Sequence, residues 1–184
     1  MELIKELKQS KIIKSVFVAL MGTVLLAISS KIKIPFYPVP MTMQTLVVLL
    51  LGIVLGWKLG LATVILYLFE GIIGLPVFSG SPEKGFGLVY FTGPTMGYLI
   101  GFLFTVYFAG RFEFKGNLFK KFLHLIFSVS FIYIFGVLWL GMLIGWEKPL
   151  FQLGVGPFLP AEFIKVLIVL FSISKLKKLN QYLK

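Results

Sequence analysis

The chain contains no cysteine and no aspartate, a single arginine (Arg111) and a single histidine (His124). Without cysteine there is no disulfide, no thiol chemistry and no thiolate metal site. One histidine excludes a multi-histidine zinc centre, and no spacing of His and Glu suggests a bound metal. No GxxxxGK[ST] segment is present, so the chain has no P-loop nucleotide site, and no HExxH occurs. Charge is scarce as well: 14% of residues are charged, where a soluble domain carries about a quarter.

What the chain has instead is apolar surface. Of its 184 residues 58% are hydrophobic, and the mean hydropathy is +0.98. One small globule cannot hide that much, so lipid is the solvent for much of the chain. Soluble enzyme, nucleic-acid-binding module and disordered tail are excluded as readings of the whole. The balance of 18 Lys+Arg against 7 Asp+Glu, a net +11, fits contact with an anionic cytoplasmic lipid surface. The opening MELIKELKQSKIIK has no apolar run followed by a small-residue cleavage site. It reads as a basic interfacial helix ahead of the first span.

Uncharged stretches mark six spans: Ser15 to Ser30, Ile34 to Trp57 with its helix starting near Met41, Leu59 to Leu75, Gly93 to Gly110, Phe122 to Gly145, and a last one from GVGPFLPAE to about Ser174. Between the third and fourth lies PVFSGSPEKGFGLVYFT, a loop rich in Gly, Pro and Ser. The expected fold is all-α: a polytopic integral membrane protein, a six-transmembrane-helix bundle with a proline-rich outer loop. Residues 1–184 are read as one membrane domain, with 1–14 a basic cytoplasmic segment and 175–184 a basic cytoplasmic tail.

Orientation follows from the basic residues. One set of ends holds the four lysines before residue 15, Lys58, Arg111, Lys115, Lys120, Lys121, Lys175, Lys177, Lys178 and Lys184, thirteen in all. The other holds four, Lys31, Lys33, Lys84 and Lys148. The positive-inside rule makes the first set, and both termini, cytoplasmic. All nine prolines then fall in or beside outward-facing segments. Such stiff, donor-poor backbone is tolerated at membrane depth where it lines a cavity, so a binding site is expected to open outward. Serines such as Ser79 lack a catalytic triad, because His124 falls near a cytoplasmic helix start and reads as interfacial.

Small residues recur every fourth position at Ser15, Ala19, Thr23 and Ala27 on the first helix, at Gly52, Gly56 and Gly60, and at Gly93, Gly97, Gly101 and Thr105 on the fourth. Such stripes let backbones approach closely. The first is expected either to pack within the bundle or to dock a second protein. Three ionisable residues lie inside spans: Glu70, Glu162 and Lys165. A charge at a helix centre costs roughly 2.5–3.5 kcal/mol on insertion scales, so such groups face a cavity or each other. Glu162 and Lys165, three apart, share one helix face beside the outward proline-rich end. Glu70 is open between anchoring a loop and serving function.

Four segments, in order and spanning nearly the whole chain, carry a family resemblance. IPFYPVPMTMQTLVVLLLG (34–52), YLFEGIIGLPVFSG (67–80), GPTMGYLIGF (93–102) and PFLPAEFIK (157–165) resemble the BioY family, the biotin-binding S components of energy-coupling-factor transporters. The chain departs from that pattern at Glu162, where the family has Asp, at Ala161, at Met96 and in SGSPEKGFG. The resemblance implies a chain that binds biotin from outside for ATP-driven import and is not itself an enzyme. It implies a transmembrane coupling protein and two cytoplasmic ATPase subunits as partners, a prokaryotic cytoplasmic membrane as location, and no cofactor. Biotin offers a urea with two N–H donors and a carbonyl, an apolar bicycle, and a carboxylate on an alkyl arm. Glu162 and Lys165 suit the urea or the acid, Tyr67, Phe78 and Tyr98 the apolar part, and Thr42 and Gln44 supply neutral hydrogen bonds. The segment holding Pro38 and Pro40 is placed to act as a lid. The alternatives are an S component for another vitamin or small heterocycle, and a membrane enzyme or scaffold with no transported ligand.

Overall fold

The computed structural model describes residues 2–83, 85 and 87–183, with side chains from residue 11 to residue 182. Lys84 and Lys184 of the charge comparison, and the side chains of the first ten residues, lie outside the described residues. Seven α-helices follow in order: α1 (Glu2–Lys31), α2 (Gln44–Ile72), α3 (Met96–Ala109), α4 (Leu118–Ile144), α5 (Leu150–Gly154), α6 (Leu159–Phe171) and α7 (Ile173–Leu183). Four stretches are long and apolar enough to cross a membrane: Lys11–Lys31, Gln44–Ile72, Leu118–Ile144 and Leu150–Phe171, with α3 a shorter apolar helix. The chain is a multi-pass membrane protein.

α2 is two spans joined end to end. Gly56 interrupts it with φ 76° and ψ 170°, a backbone state open to glycine and costly for other residues. The chain doubles back there, bringing Gly60 against the carbonyl of Leu51 and the Cα of Gly52. The first limb thus ends in carbonyls without helical partners. Asn180 of α7 supplies them, its Nδ2 donating to Ile53 O at 3.0 Å and Val54 O at 2.8 Å. Counting the limbs separately recovers the six segments marked by the uncharged stretches.

The expected stripes build the helix contacts. A Cβ at Gly97 or Gly101 would overlap Phe135 O or the Ile132 backbone of α4, so α3 and α4 touch main chain to main chain. α4 opens at Asn117, whose Oδ1 accepts from Lys120 N at 2.9 Å. Around the bundle, residues such as Phe17, Leu25, Phe127 and Phe171 are exposed, as lipid-facing side chains must be.

The stripe on α1 is covered by the chain itself. Thr23 is 2% and Ala19 8% exposed, Ser15 and Ala27 are half-buried, and Gly22 between them abuts Thr63 and Leu51 of α2. Of the two uses expected for this face, packing within the bundle is the one the structure displays. The face offered outward on α1 is the bulky one, with Val16, Phe17, Leu20, Val24 and Leu25.

One feature departs from an all-helical plan. Lys33–Ile34 and Met41–Thr42 pair as a short antiparallel hairpin, Lys33 opposite Thr42 and Ile34 opposite Met41. The three prolines between them remove backbone donors and keep the connecting loop out of a helix, so α2 starts at Gln44 rather than near Met41. This hairpin is set over the bundle at the end where α1 finishes. At the opposite end lie Trp57, Tyr107 and Arg111, the guanidinium 4.7 Å from the Tyr107 ring, together with Lys14, whose Nζ donates to Tyr182 O. Arg111 and Lys14 thus lie at the end away from the hairpin.

Candidate ligand-binding site

A cavity opens beneath the hairpin. Its interior offers about 60 Å³ to the centre of a water-sized sphere, and about 520 Å³ is free of protein atoms once the open mouth and the solvent in it are counted. The hairpin and the start of α2 supply Val39 to Thr42, Gln44 and Thr45; α3 supplies Tyr98, Leu99 and Phe102; α4 supplies Ile132 and Tyr133; and Phe158, Glu162 and Lys165 come from the α6 end. Ser79, Tyr90 and Thr95 enter from the long loop before α3.

Glu162 and Lys165 are buried, 5% and 4% exposed, and their charged atoms stand 3.4 Å apart. They form the one ion pair among the described residues. Pro160 lies in the first turn of α6, where its missing N–H is no loss, and the same turn places Glu162 at the positive end of the helix dipole. Glu162 Oε2 accepts from Tyr133 Oη at 2.9 Å and Thr45 Oγ1 at 3.0 Å as well as from Lys165. Lys165 Nζ has three acceptors: Thr42 O at 2.8 Å, Thr45 Oγ1 at 2.9 Å and Glu162 Oε2. Its three donors are thus filled by the protein. Glu162 Oε1, buried, has no partner. A buried carboxylate oxygen left bare costs free energy unless something donates to it. The site is therefore an acceptor waiting for an N–H or O–H.

Six of the nine residues expected at the site line the cavity: Glu162, Lys165, Thr42, Gln44, Tyr98 and Pro40. Pro38 lies outside the lining, and its neighbour Phe36 packs edge-on to Phe158, 5.9 Å between centroids, pinning the hairpin loop to the α6 end. Tyr67 and Phe78 form a layer behind the wall. Tyr67, 0% exposed, accepts from Gln44 Nε2 at 2.8 Å and donates to Val77 O at 3.0 Å. Phe78 lies against Gly71, where a Cβ would overlap its ring, and stacks on Tyr90 at 4.7 Å. Tyr98 donates to Gly154 O at 2.9 Å, which fixes its ring at the cavity edge. Glu70 is half-buried, away from this lining.

Thr45, Tyr133, Ser79, Tyr90 and Phe158 are cavity residues that the sequence reading did not single out. Tyr133 lies between the last two of the family-like segments and in neither, so it gives no signal by itself. Thr45 follows Gln44 in the first turn of α2, and nothing in its spacing from Thr42, which lies in the hairpin strand, marks it as a site residue. Burial pushes the Tyr90 phenol above its ordinary value, keeping it a proton donor, and it donates to Ser79 O at 2.8 Å.

Comparison with known proteins agrees with this architecture. The family model described as the BioY family matches residues 4–182. The probable biotin transporter BioY of Pyrococcus horikoshii is 34% identical over 152 residues, 83% of this chain and 89% of that protein. The biotin transporter BioY2 of Lactococcus lactis subsp. cremoris is 32% identical over 179 residues, 95% and 96% of the two chains. A crystal structure of the S-component for biotin from an ECF-type ABC transporter superposes with TM-score 0.76 at 28% identity, covering 92% of this chain and 93% of that one. The chain belongs to the BioY family.

Proposed function

We propose that this BioY-family chain is the substrate-capture S component of an energy-coupling-factor transporter, and that it binds biotin. The observation that carries the reading is the bare Glu162 Oε1, held by Lys165, Thr45 and Tyr133 in a cavity with Tyr98 and Phe102 on its walls. A urea N–H donates to that oxygen, and the apolar bicycle lies against the aromatic and aliphatic wall. With its donors filled, Lys165 holds Glu162 in place, whereas the residues alone allowed it to reach the ligand directly. Thr42 and Gln44 supply the neutral polar rim. The relatives' names favour biotin over another vitamin, and a non-transporting enzyme or scaffold has no support from them.

Both termini face the cytoplasm and the cavity opens outward in a prokaryotic cytoplasmic membrane. This supports entry of biotin beneath the hairpin, the segment with Pro40 acting as its lid. Stiff backbone there lowers the ordering cost of binding. A transmembrane coupling protein and two cytoplasmic ATPase subunits supply the energy that this chain has no nucleotide motif to harvest. The test is uptake of radiolabelled biotin by cells lacking their own transporter that express the chain together with coupling and ATPase subunits. ATP-dependent accumulation is expected. Equal accumulation with and without the chain contradicts the reading.

A further inference from the structure

Two buried side-chain polar atoms among the described residues have no hydrogen-bond partner, Glu162 Oε1 and Ser79 Oγ. Both residues line the same cavity. Their chemistry is complementary: an ionised carboxylate oxygen only accepts, whereas a serine hydroxyl also donates. Ser79 is 4% exposed, so its bare hydroxyl carries a desolvation cost that a ligand atom would remove.

Resting on the biotin reading above, we propose that Ser79 is the contact for the ligand's carboxylate, donating its hydroxyl proton to a carboxylate oxygen while Glu162 takes the urea. The ligand's negative group is excluded from the Glu162 end for two reasons. The Glu162 charge repels it, and the ammonium of Lys165 has no donor left. At the Ser79 end a lysine holds the loop. Lys31 Nζ donates to Phe78 O at 2.9 Å and Ser81 O at 3.0 Å, gripping the carbonyls on either side of Ser79. No acidic side chain pairs with Lys31 among the described residues. The loop is held further by Ser30 Oγ on Val77 O at 2.8 Å and by Tyr90 on Ser79 O. Ser79 is thus a rigidly presented donor in a loop anchored by the Lys31 ammonium, whose charge Glu83 of the same loop offsets in part. Hydrogen bonds to charged groups are the strong ones.

The experiment measures equilibrium binding of biotin and of biotinamide, which keeps the urea and the arm but lacks the negative charge, to the parent chain and to Ser79→Ala. The substitution is expected to weaken biotin about tenfold or more and to change biotinamide by less than about threefold. An unchanged biotin affinity, or equal losses for both ligands, overturns the assignment. Ser79→Cys places the chain's single thiol at this position, and bound biotin should slow its alkylation. Alkylation at the same rate with biotin bound also overturns it, whether or not Ser79→Ala folds. A parent chain that binds neither ligand defeats the biotin reading itself, and this inference falls with it. A parent that binds biotin with unaffected Ser79 variants defeats this inference alone.

Discussion

Lys165 Nζ donates to the main-chain carbonyl of Thr42 at 2.8 Å, so a charged residue of α6 holds the hairpin that roofs the cavity. From Thr42 the polar contacts continue through Gln44 to Tyr67 and on to Val77, the start of the loop bearing Ser79. The roof, the ion pair and that loop are one connected set. Changes at Lys165 therefore act on the shape of the site as well as on its charge.

For the pair itself, removing one member leaves the other charge buried and unpaired, which costs several kcal/mol. Glu162→Gln and Lys165→Met should each weaken biotin binding by at least about a hundredfold, at ~1.4 kcal/mol per factor of ten. Competition binding with labelled biotin reads this directly. The double substitution to a neutral pair should recover thermal stability but not binding. Parent-like binding by both folded single mutants makes the pair structural.

The face of α1 that carries Ala19 is filled by the chain's own helices. Ala19→Trp should lower the unfolding midpoint in detergent and reduce biotin binding by the isolated protein. A variant as stable as the parent that has lost only assembly with a coupling protein returns this stripe to the docking role.

At Gly101 a side chain meets the α4 backbone at Ile132 and Phe131. Overpacking of a tight contact typically costs ~1–3 kcal/mol, and here the contact is main chain. Gly101→Leu should therefore destabilise strongly, seen as a lower thermal midpoint. Equal midpoints for Gly101→Leu and the parent contradict close α3–α4 packing.

Membrane orientation is testable because the chain has no cysteine. Ser81 is buried and would label poorly, so Glu83→Cys and Lys115→Cys, both exposed, are the informative sites. An impermeant thiol reagent applied to whole cells should label Glu83→Cys and spare Lys115→Cys. The reverse pattern inverts the topology.

Much of this was legible in the residues because lipid imposes simple bookkeeping on a chain. Uncharged lengths marked the spans, and a Glu and a Lys three apart inside one of them had to share a face turned to a cavity or to each other. Gly56 shows the limit: a glycine in a small-residue stripe reads as a packing position, and its positive φ emerges only once both limbs must fold back. Tyr67 and Phe78 were placed by motif against the ligand, but the motif does not say which layer a side chain occupies. Ser79 falls inside a family-like segment but reads there only as a serine without a triad, since its bare, buried hydroxyl is visible only in the fold. Ala19 and Thr23 could be assigned to a neighbour only after the neighbour was seen.

The central claim is that this single chain, without its partners, holds biotin through Glu162. Titration calorimetry of biotin into the purified, ligand-free protein tests it most directly. The account predicts saturable binding of one biotin per chain, abolished or weakened at least about a hundredfold in a folded Glu162→Gln variant. Absence of saturable heat with the parent, or an unchanged isotherm with Glu162→Gln, would contradict it.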